Sequence, residues 1–252
     1  MNLVQSLLGL AVILVAAGLI TIYSLPRVRK TRRAFHPIPA MQRLRRAIGL
    51  TVEEGARIHV SIGKASIFSP TNASALVGLS TLERVAQLSS VSDRPPVATS
   101  GDGTLSILSQ DTLRAAYRIA NAQEMYDPER GRLAGATPFS YIAGALTSLR
   151  GERVSTHILL GNFGPEAALL NEAAEKQNTF TLAGSDSLAA QAAFYATSQE
   201  ALIGEEVYAV PAYLQAGAAH QASLRAQDVL RWVVILFLVL SVALAIVQVV
   251  IS

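Results

Sequence analysis

Ser155-Thr-His-Ile-Leu-Leu-Gly-Asn-Phe-Gly-Pro-Glu166, continued by a helical pattern through Gln177, is the stretch whose reading decides the fold. Ile158-Leu159-Leu160 is apolar without alternation, as in a strand buried on both faces. Gly161 frees the backbone to turn, and Pro165 opens a helix where its missing N–H costs nothing. The stretch reads as a βα unit, and the same grammar recurs on either side. Arg57–Ile62 reads as a strand leading into a helix over Thr71–Ser90, with Leu76, Leu79, Leu82 and Ala86 at helical spacing. Pro96–Ser100 reads as a strand, followed by a helix through about Asp111–Ala122. Gly101-Asp102-Gly103 alternatively turns a hairpin into Thr104–Leu108. Arg132–Ala136 reads as a strand, after which Thr137 caps a helix with Pro138 at its first position, running to Leu149. Thr179–Ala183 and Ser185–Thr197 form a last strand and helix. Alternation of this kind predicts an α/β fold: a Rossmann-like parallel sheet of about five strands with helices on both faces.

Outside this body the composition changes. Leu3–Tyr23 and Trp232–Ile251 are nearly continuous apolar runs, each about 20 residues and long enough to cross a bilayer. The sequence therefore predicts two flanking transmembrane helices and five segments: 1–26 (first span), 27–50 (basic juxtamembrane segment), 51–204 (cytoplasmic Rossmann-like domain), 205–231 (helical connector) and 232–252 (second span). Met1-Asn2 lacks the basic residues of a signal peptide, so the first span is expected to be retained. The connector pattern runs from Glu205–Tyr213 through Ala218, Ala222 and Val229 into the second span, with Gly217 as the expected interruption. Gln5 and Gln248 fall within the spans, and Ser241 with Ala245 makes a small-xxx-small pair suited to close helix packing.

Charge fixes an orientation. The 252 residues carry a formal charge of +3, and the sequence pI is near 9.4, which superficially suggests nucleic acid. Residues 27–46 hold eight basic residues and no acid, however, whereas 47–224 hold 11 basic and 17 acidic residues. The basicity is one block beside a membrane span, and no nucleic-acid partner is expected. By the positive-inside rule, 27–231 is expected in the cytoplasm and both termini outside, as in a two-pass membrane protein. Arg27, Arg29, Lys30, Arg32 and Arg33 are expected at the membrane surface with anionic phospholipid as partner. Arg43, Arg45 and Arg46 extend the block. They flank Met41, Leu44 and Ile48 on one helical face, which predicts a short helix lying on the inner leaflet.

Two segments echo each other. His59-Val-Ser-Ile-Gly63 resembles His157-Ile-Leu-Leu-Gly161, and each leads to a Pro at a helix start (Pro70, Pro165). A duplicated βα unit and two independently similar Rossmann-type turns both fit this pattern. Both histidines are expected inside strands, as neutral hydrogen-bonded core residues, and a shared role would require the two strands to be neighbours.

Ligands of parallel sheets gather at the carboxyl ends of the strands. The residues there are Gly63, Lys64, Ser100, Asp102, Asn162, Gly184, Ser185 and Asp186, and they form the candidate ligand-binding set, with the ligand unknown. Gly101-Asp-Gly-Thr-Leu-Ser106 misses the dinucleotide fingerprint, because Ser106 replaces its third glycine and Asp102 would repel pyrophosphate. Gly63-Lys64-Ala65-Ser66 lacks the upstream glycine of a P-loop. Ser61-Ile-Gly-Lys64 matches S-x-x-K in letters only, since that serine should open a helix and Ser61 lies on a strand. There is no H-E-x-x-H, no G-x-S-x-G and no cysteine, so thiol catalysis, disulfides and Cys-ligated metal are excluded. No catalytic residue, cofactor or metal site is assigned.

His157-Ile-Leu-Leu-Gly-Asn-Phe-Gly-Pro-Glu166, Ile203-Gly-Glu-Glu206 and Ser223-Leu-Arg-Ala-Gln-Asp-Val-Leu-Arg-Trp232 resemble a bacterial two-pass membrane family catalogued only as a domain of unknown function. The resemblance implies a membrane-embedded protein and carries no catalytic residues. The expected function is a membrane-anchored, non-catalytic structural, assembly or binding protein. It would form a homo-oligomer through its transmembrane and Ala-rich helices. A ligand-sensing domain or enzyme using the strand-end loops, and an oligomeric pore, are the alternatives.

Overall fold

Six parallel strands in the order β3-β2-β1-β4-β5-β6 organise the body of the chain, one strand more than the sequence predicts. The extra strand is Glu200–Leu202, too short to show a periodicity. The computed structural model describes residues 3–25, 35–69 and 72–251, and divides the chain into two units: His36–Ala216, and Met1–Phe35 with Gly217–Ser252.

In the first unit the chain runs through α2 (Pro39–Glu53), β1 (Arg57–Gly63), α3 (Asn72–Leu88), β2 (Val97–Ser100), α4 (Gly103–Ile119) and β3 (Gly131–Leu133). It continues through α5 (Pro138–Gly151), β4 (Val154–Asn162), α6 (Ala168–Glu175), β5 (Phe180–Ser185), α7 (Leu188–Thr197), β6 (Glu200–Leu202) and α8 (Glu206–Tyr213). Alternate strand residues point to opposite faces. Ile58, Val60, Ile62, Ile158, Leu160 and Leu182 pack with α2, α3, α4 and α8. Leu159 and Ala183 pack with α5, α6 and α7. Strand order therefore reverses between β1 and β4, the doubly wound arrangement in which a crevice opens at the carboxyl ends of those two strands.

Local sequence explains the helix starts. Thr137 and Ser140 form a reciprocal capping box at α5 with Pro138 behind it, as expected. Asp102 caps α4 by accepting from the amides of Thr104 (3.0 Å) and Leu105 (3.1 Å). That cap starts the helix at Gly103, so the hairpin into Thr104–Leu108 does not form and the helix begins earlier than its apolar periodicity suggests.

The helix expected on the inner leaflet requires correction. α2 does align Met41, Leu44 and Ile48, but these side chains are buried in the core against the sheet, with Leu44 at 0 % exposure. An amphipathic pattern says that one face is covered without saying by what. Two of its flanking arginines are also engaged in protein. Arg43 Nη2 donates to Glu200 Oε2 of β6 at 2.8 Å, and Arg45 donates to the carbonyl of Tyr213. Arg46 stays exposed. Arg27, Arg29, Lys30, Arg32 and Arg33 lie outside the described residues.

The expected connector is divided. α8 ends in a Schellman-type turn: Gln215 takes a left-handed backbone (φ 61°), its amide bonds Ala212 O at 3.1 Å, and the Ala216 amide bonds Pro211 O at 2.8 Å. The break covers residues 214–217 and so includes Gly217, as expected, but the left-handed turn that ends α8 is taken by Gln215, where the glycine usual in this motif is absent. Arg45 and Arg84 (Nε to Leu214 O, 2.9 Å) satisfy the carbonyls exposed there. Tyr213 Oη donates to the carbonyl of His36, so the two ends of this unit are tied together.

The second unit pairs α1 (Leu3–Ser24) with α9 (Ala218–Ile251), which pack against each other. α9 begins well before Trp232, where the second span was expected to start. Among the described residues one helix, over Ala218–Ala243, is long and apolar enough to cross a membrane; Gly9–Ser24 is a shorter apolar helix.

Candidate functional site

The β1–β4 switch point is drawn tight by backbone contacts. Gly63 adopts a left-handed backbone (φ 80°), and a Cβ there would collide with the carbonyl of Asn162; one on Gly161 would collide with the carbonyl of Ile62. The Lys64 amide donates to Asn162 O at 3.0 Å, and the Gly101 amide donates to Gly63 O at 2.8 Å. These contacts stitch the ends of β2, β1 and β4 together where other doubly wound sheets leave room for a ligand.

Side chains of the chain itself occupy the turns above. The Asp102 carboxylate sits on the first amides of α4. Glu166 folds back over the β4 turn, accepting from its own amide and that of Gly164, and pairs with Lys64 Nζ at 3.1 Å across the switch point. Burial pushes the Glu166 carboxyl up, but these amides and Lys64 outweigh it and hold it below the ordinary carboxylate range. Asp186, after β5, accepts from Asn162 Nδ2 at 2.8 Å and from Ser74 Oγ of α3 at 2.9 Å. Ser185 Oγ receives the amides of Phe163 (3.1 Å) and Ser187 (3.2 Å), and Ser100 Oγ donates to Asp102 O at 3.2 Å. Gly184 is a packing position, where a Cβ would press on Val207 and Leu202. All eight sequence-predicted residues therefore stand at or beside the carboxyl edge, and three carboxylates fill positions where an incoming oxyanion would be held.

A second cluster lies deep in the body. His59 and His157 are register partners on β1 and β4, fully buried and stacked at 4.6 Å between ring centroids. Their Nε2 atoms lie 3.0 Å from Thr99 Oγ1 and from Ser61 Oγ respectively, while both Nδ1 atoms are buried without a partner. A proton on Nε2 leaves only a lone pair unmatched at Nδ1, the cheaper arrangement. Every other hydrogen then finds an acceptor. Ser61 donates to Thr99 Oγ1 (3.2 Å), Thr99 donates to Tyr141 Oη (3.4 Å), and Tyr141 donates to the carbonyl of Thr99 (3.4 Å). In this arrangement His157 Nε2–H donates to Ser61 Oγ, so that nitrogen has no lone pair to offer the hydroxyl as a base. Burial, aided by the Arg132 charge, lowers His59 to about 3, and burial with His59 beside it lowers His157 well below the ordinary value. Sequence reasoning located both histidines but not Thr99 or Tyr141. The equal offset of each histidine from its strand-ending glycine was the usable signal for their pairing.

Glu152 anchors a third group at the opposite edge. It contacts Arg57 (3.1 Å) and Arg130 (2.9 Å) through Oε2 and Arg132 (2.5 Å) through Oε1, tying β1 and the β3 segment to the end of α5. Among the described residues no group of three His, Cys, Asp or Glu could hold a metal ion.

The profile of one family, described as a domain of unknown function (DUF6754), matches residues 2–252. The chain belongs to that family. No curated protein and no solved structure matches it. Of what the resemblance implied, membership of a family described as a domain of unknown function is thereby shown.

Proposed function

We propose that this protein is a membrane-anchored, non-catalytic assembly protein that presents its α/β body as a homo-oligomer. The observation that carries the reading is the state of the carboxyl edge. Asp102, Glu166 and Asp186 fill its polar cradles, and large apolar side chains stand exposed around it: Phe68 after β1 (87 % exposed), Phe139 at the start of α5 (71 %) and Leu188 at the start of α7 (81 %). An edge closed to oxyanions and dressed with apolar groups suits contact with protein, here a second copy of the chain. In the same reading α1 and α9 are the two spans of a bacterial inner-membrane protein, supported by their mutual packing. The body and the basic block are cytoplasmic, the termini are outside, and the block meets anionic phospholipid.

Mass measurement of the full chain in detergent tests the assembly. A multimer is expected across concentrations, reduced to a monomer by Phe139→Asp with Leu188→Asp. A monomeric wild-type chain overturns the assembly, and an unchanged multimer in the double variant overturns the carboxyl edge as its interface.

A further inference from the structure

The amino edge of the sheet gathers four arginines around one shared carboxylate. Arg57 opens β1, Arg94 lies just before β2, Arg130 and Arg132 stand at the start of β3, and Glu152 precedes β4. Glu152 Oε2 is shared by Arg57 Nη1 (3.1 Å) and Arg130 Nη1 (2.9 Å), while Arg132 Nη1 takes Oε1 (2.5 Å). Among the described residues the other ion-pair partner of the group is Asp127, 2.9 Å from Arg130 Nε. Arg94 is half-buried, and its side chain makes no hydrogen bond or ion pair among the described residues, yet it is near enough to repel Arg57. Asp93 and Glu129 are neighbours in sequence, but both are exposed and neither makes an ion pair with the four. Four guanidinium charges thus meet two carboxylates, which leaves an excess of two positive charges.

That excess is partly withdrawn from water. The Arg57 and Arg130 side chains are only 12 % and 23 % exposed. The contact of Arg57 with Glu152 is not aligned for a hydrogen bond, so Arg57 Nε and Nη1 are buried donors without an acceptor. Tyr117 Oη, which feels both Arg57 and Arg130, is another. Burial pushes the Tyr117 hydroxyl up to about 12, so it stays neutral and supplies no counter-charge. Burial also pushes the Arg57 guanidinium below its ordinary range; Glu152 opposes this, and Arg130, Arg94 and Arg132 add to it. Guanidiniums held out of water with too few counter-charges cost free energy that an added anion recovers. The sealed nitrogens of Arg57 cannot meet that anion directly. It would approach from the solvent side, where Arg94 is half-exposed and Arg132, 35 % exposed, has committed Nε to Glu129 O and Nη1 to Ser148 Oγ, leaving Nη2 to donate. A guanidinium fork matches paired oxygens, which a halide lacks, and an excess of two charges is balanced by a dianion. We propose that the arginine cluster at the amino edge binds a small dianionic oxyanion with the charge of a phosphate monoester.

Thermal unfolding of the full chain in nonionic detergent, at matched ionic strength, tests this with methyl phosphate and dimethyl phosphate as probes. At a pH of about 7.5 methyl phosphate is mostly a dianion, because its second ionisation lies near about 6, whereas dimethyl phosphate carries the single charge of a phospholipid diester. Methyl phosphate at tenfold its dissociation constant should raise Tm by about 3–6 °C, and dimethyl phosphate at the same concentration should not. Equal shifts from both probes, or none from either, overturn the proposal. Arg94→Gln removes a repulsion, so it should not lower the unliganded Tm, yet it should diminish the shift; an undiminished shift overturns the placement. Glu152→Gln should lower the unliganded Tm and enlarge the shift, because the anion then stands in for the lost carboxylate. A purely structural ion network would give no such rescue, and a shift that shrinks in this variant overturns the charge argument. The cluster lies wholly within His36–Ala216 and at the edge opposite the proposed interface, so a chain found to be monomeric would leave this proposal standing.

Discussion

His59 and His157 sit neutral inside the sheet, where ordinary histidines would begin to charge below a pH of about 6.5. Their folded pKa values lie below the unfolded one. Between about pH 6.5 and 3 the unfolded chain therefore binds protons that the folded chain refuses, and stability falls as the pH falls through that window. The loss should be on the order of a few kcal/mol, read as a decreasing denaturant midpoint with an unchanged slope. The double variant His59→Asn with His157→Asn should flatten the profile over that window. A wild-type midpoint that stays constant from pH 7 to pH 4 refutes the buried neutral pair. The burial of both residues was legible in the sequence, because each sits in an apolar strand at the same distance from a turn glycine. Their partners were not, because Thr99 lies 40 residues from His59 and Ser61 lies 96 residues from His157, and only sheet order brings them near.

At the scale of elements, α2 separates two readings of one pattern. If its apolar face served the membrane, shortening Leu44 would weaken lipid binding and leave the fold intact. Leu44 is instead at 0 % exposure in the core, so Leu44→Ala should destabilise the body by about 2–5 kcal/mol, measured by urea unfolding in detergent. A cost under about 0.5 kcal/mol would contradict the packing described above. Strands and helices with strong local signals were read correctly: β4 from its unbroken apolar run, α5 from its Thr137–Pro138 start. Two errors share a physical cause. At α4 the side-chain cap at Asp102 set the start nine residues ahead of Asp111, and at Gln215 a residue other than glycine adopted the left-handed turn. In both, a few backbone hydrogen bonds outweighed the residue preferences that a sequence reading relies on.

For the whole molecule, the proposed orientation can be tested by labelling, because the sequence contains no cysteine. Val91 lies between α3 and β2 and is 82 % exposed, so Val91→Cys creates a single labelling site on the body. In cells it should resist a membrane-impermeant maleimide and react once the membrane is broken; labelling of intact cells would reverse the proposed topology. The partition of charge behind that prediction, a basic block beside a more acidic body, is a property of the chain alone. So is the alternation of strands and helices, because side-chain periodicity, turn glycines and helix caps act within a few residues of one another. Tertiary structure alone decided what each surface meets: the core against α2, the chain's own Asp102, Glu166 and Asp186 at the carboxyl edge, and one histidine against another. These contacts join residues that are far apart in sequence, and their energies depend on burial and alignment that exist only once the sheet has formed.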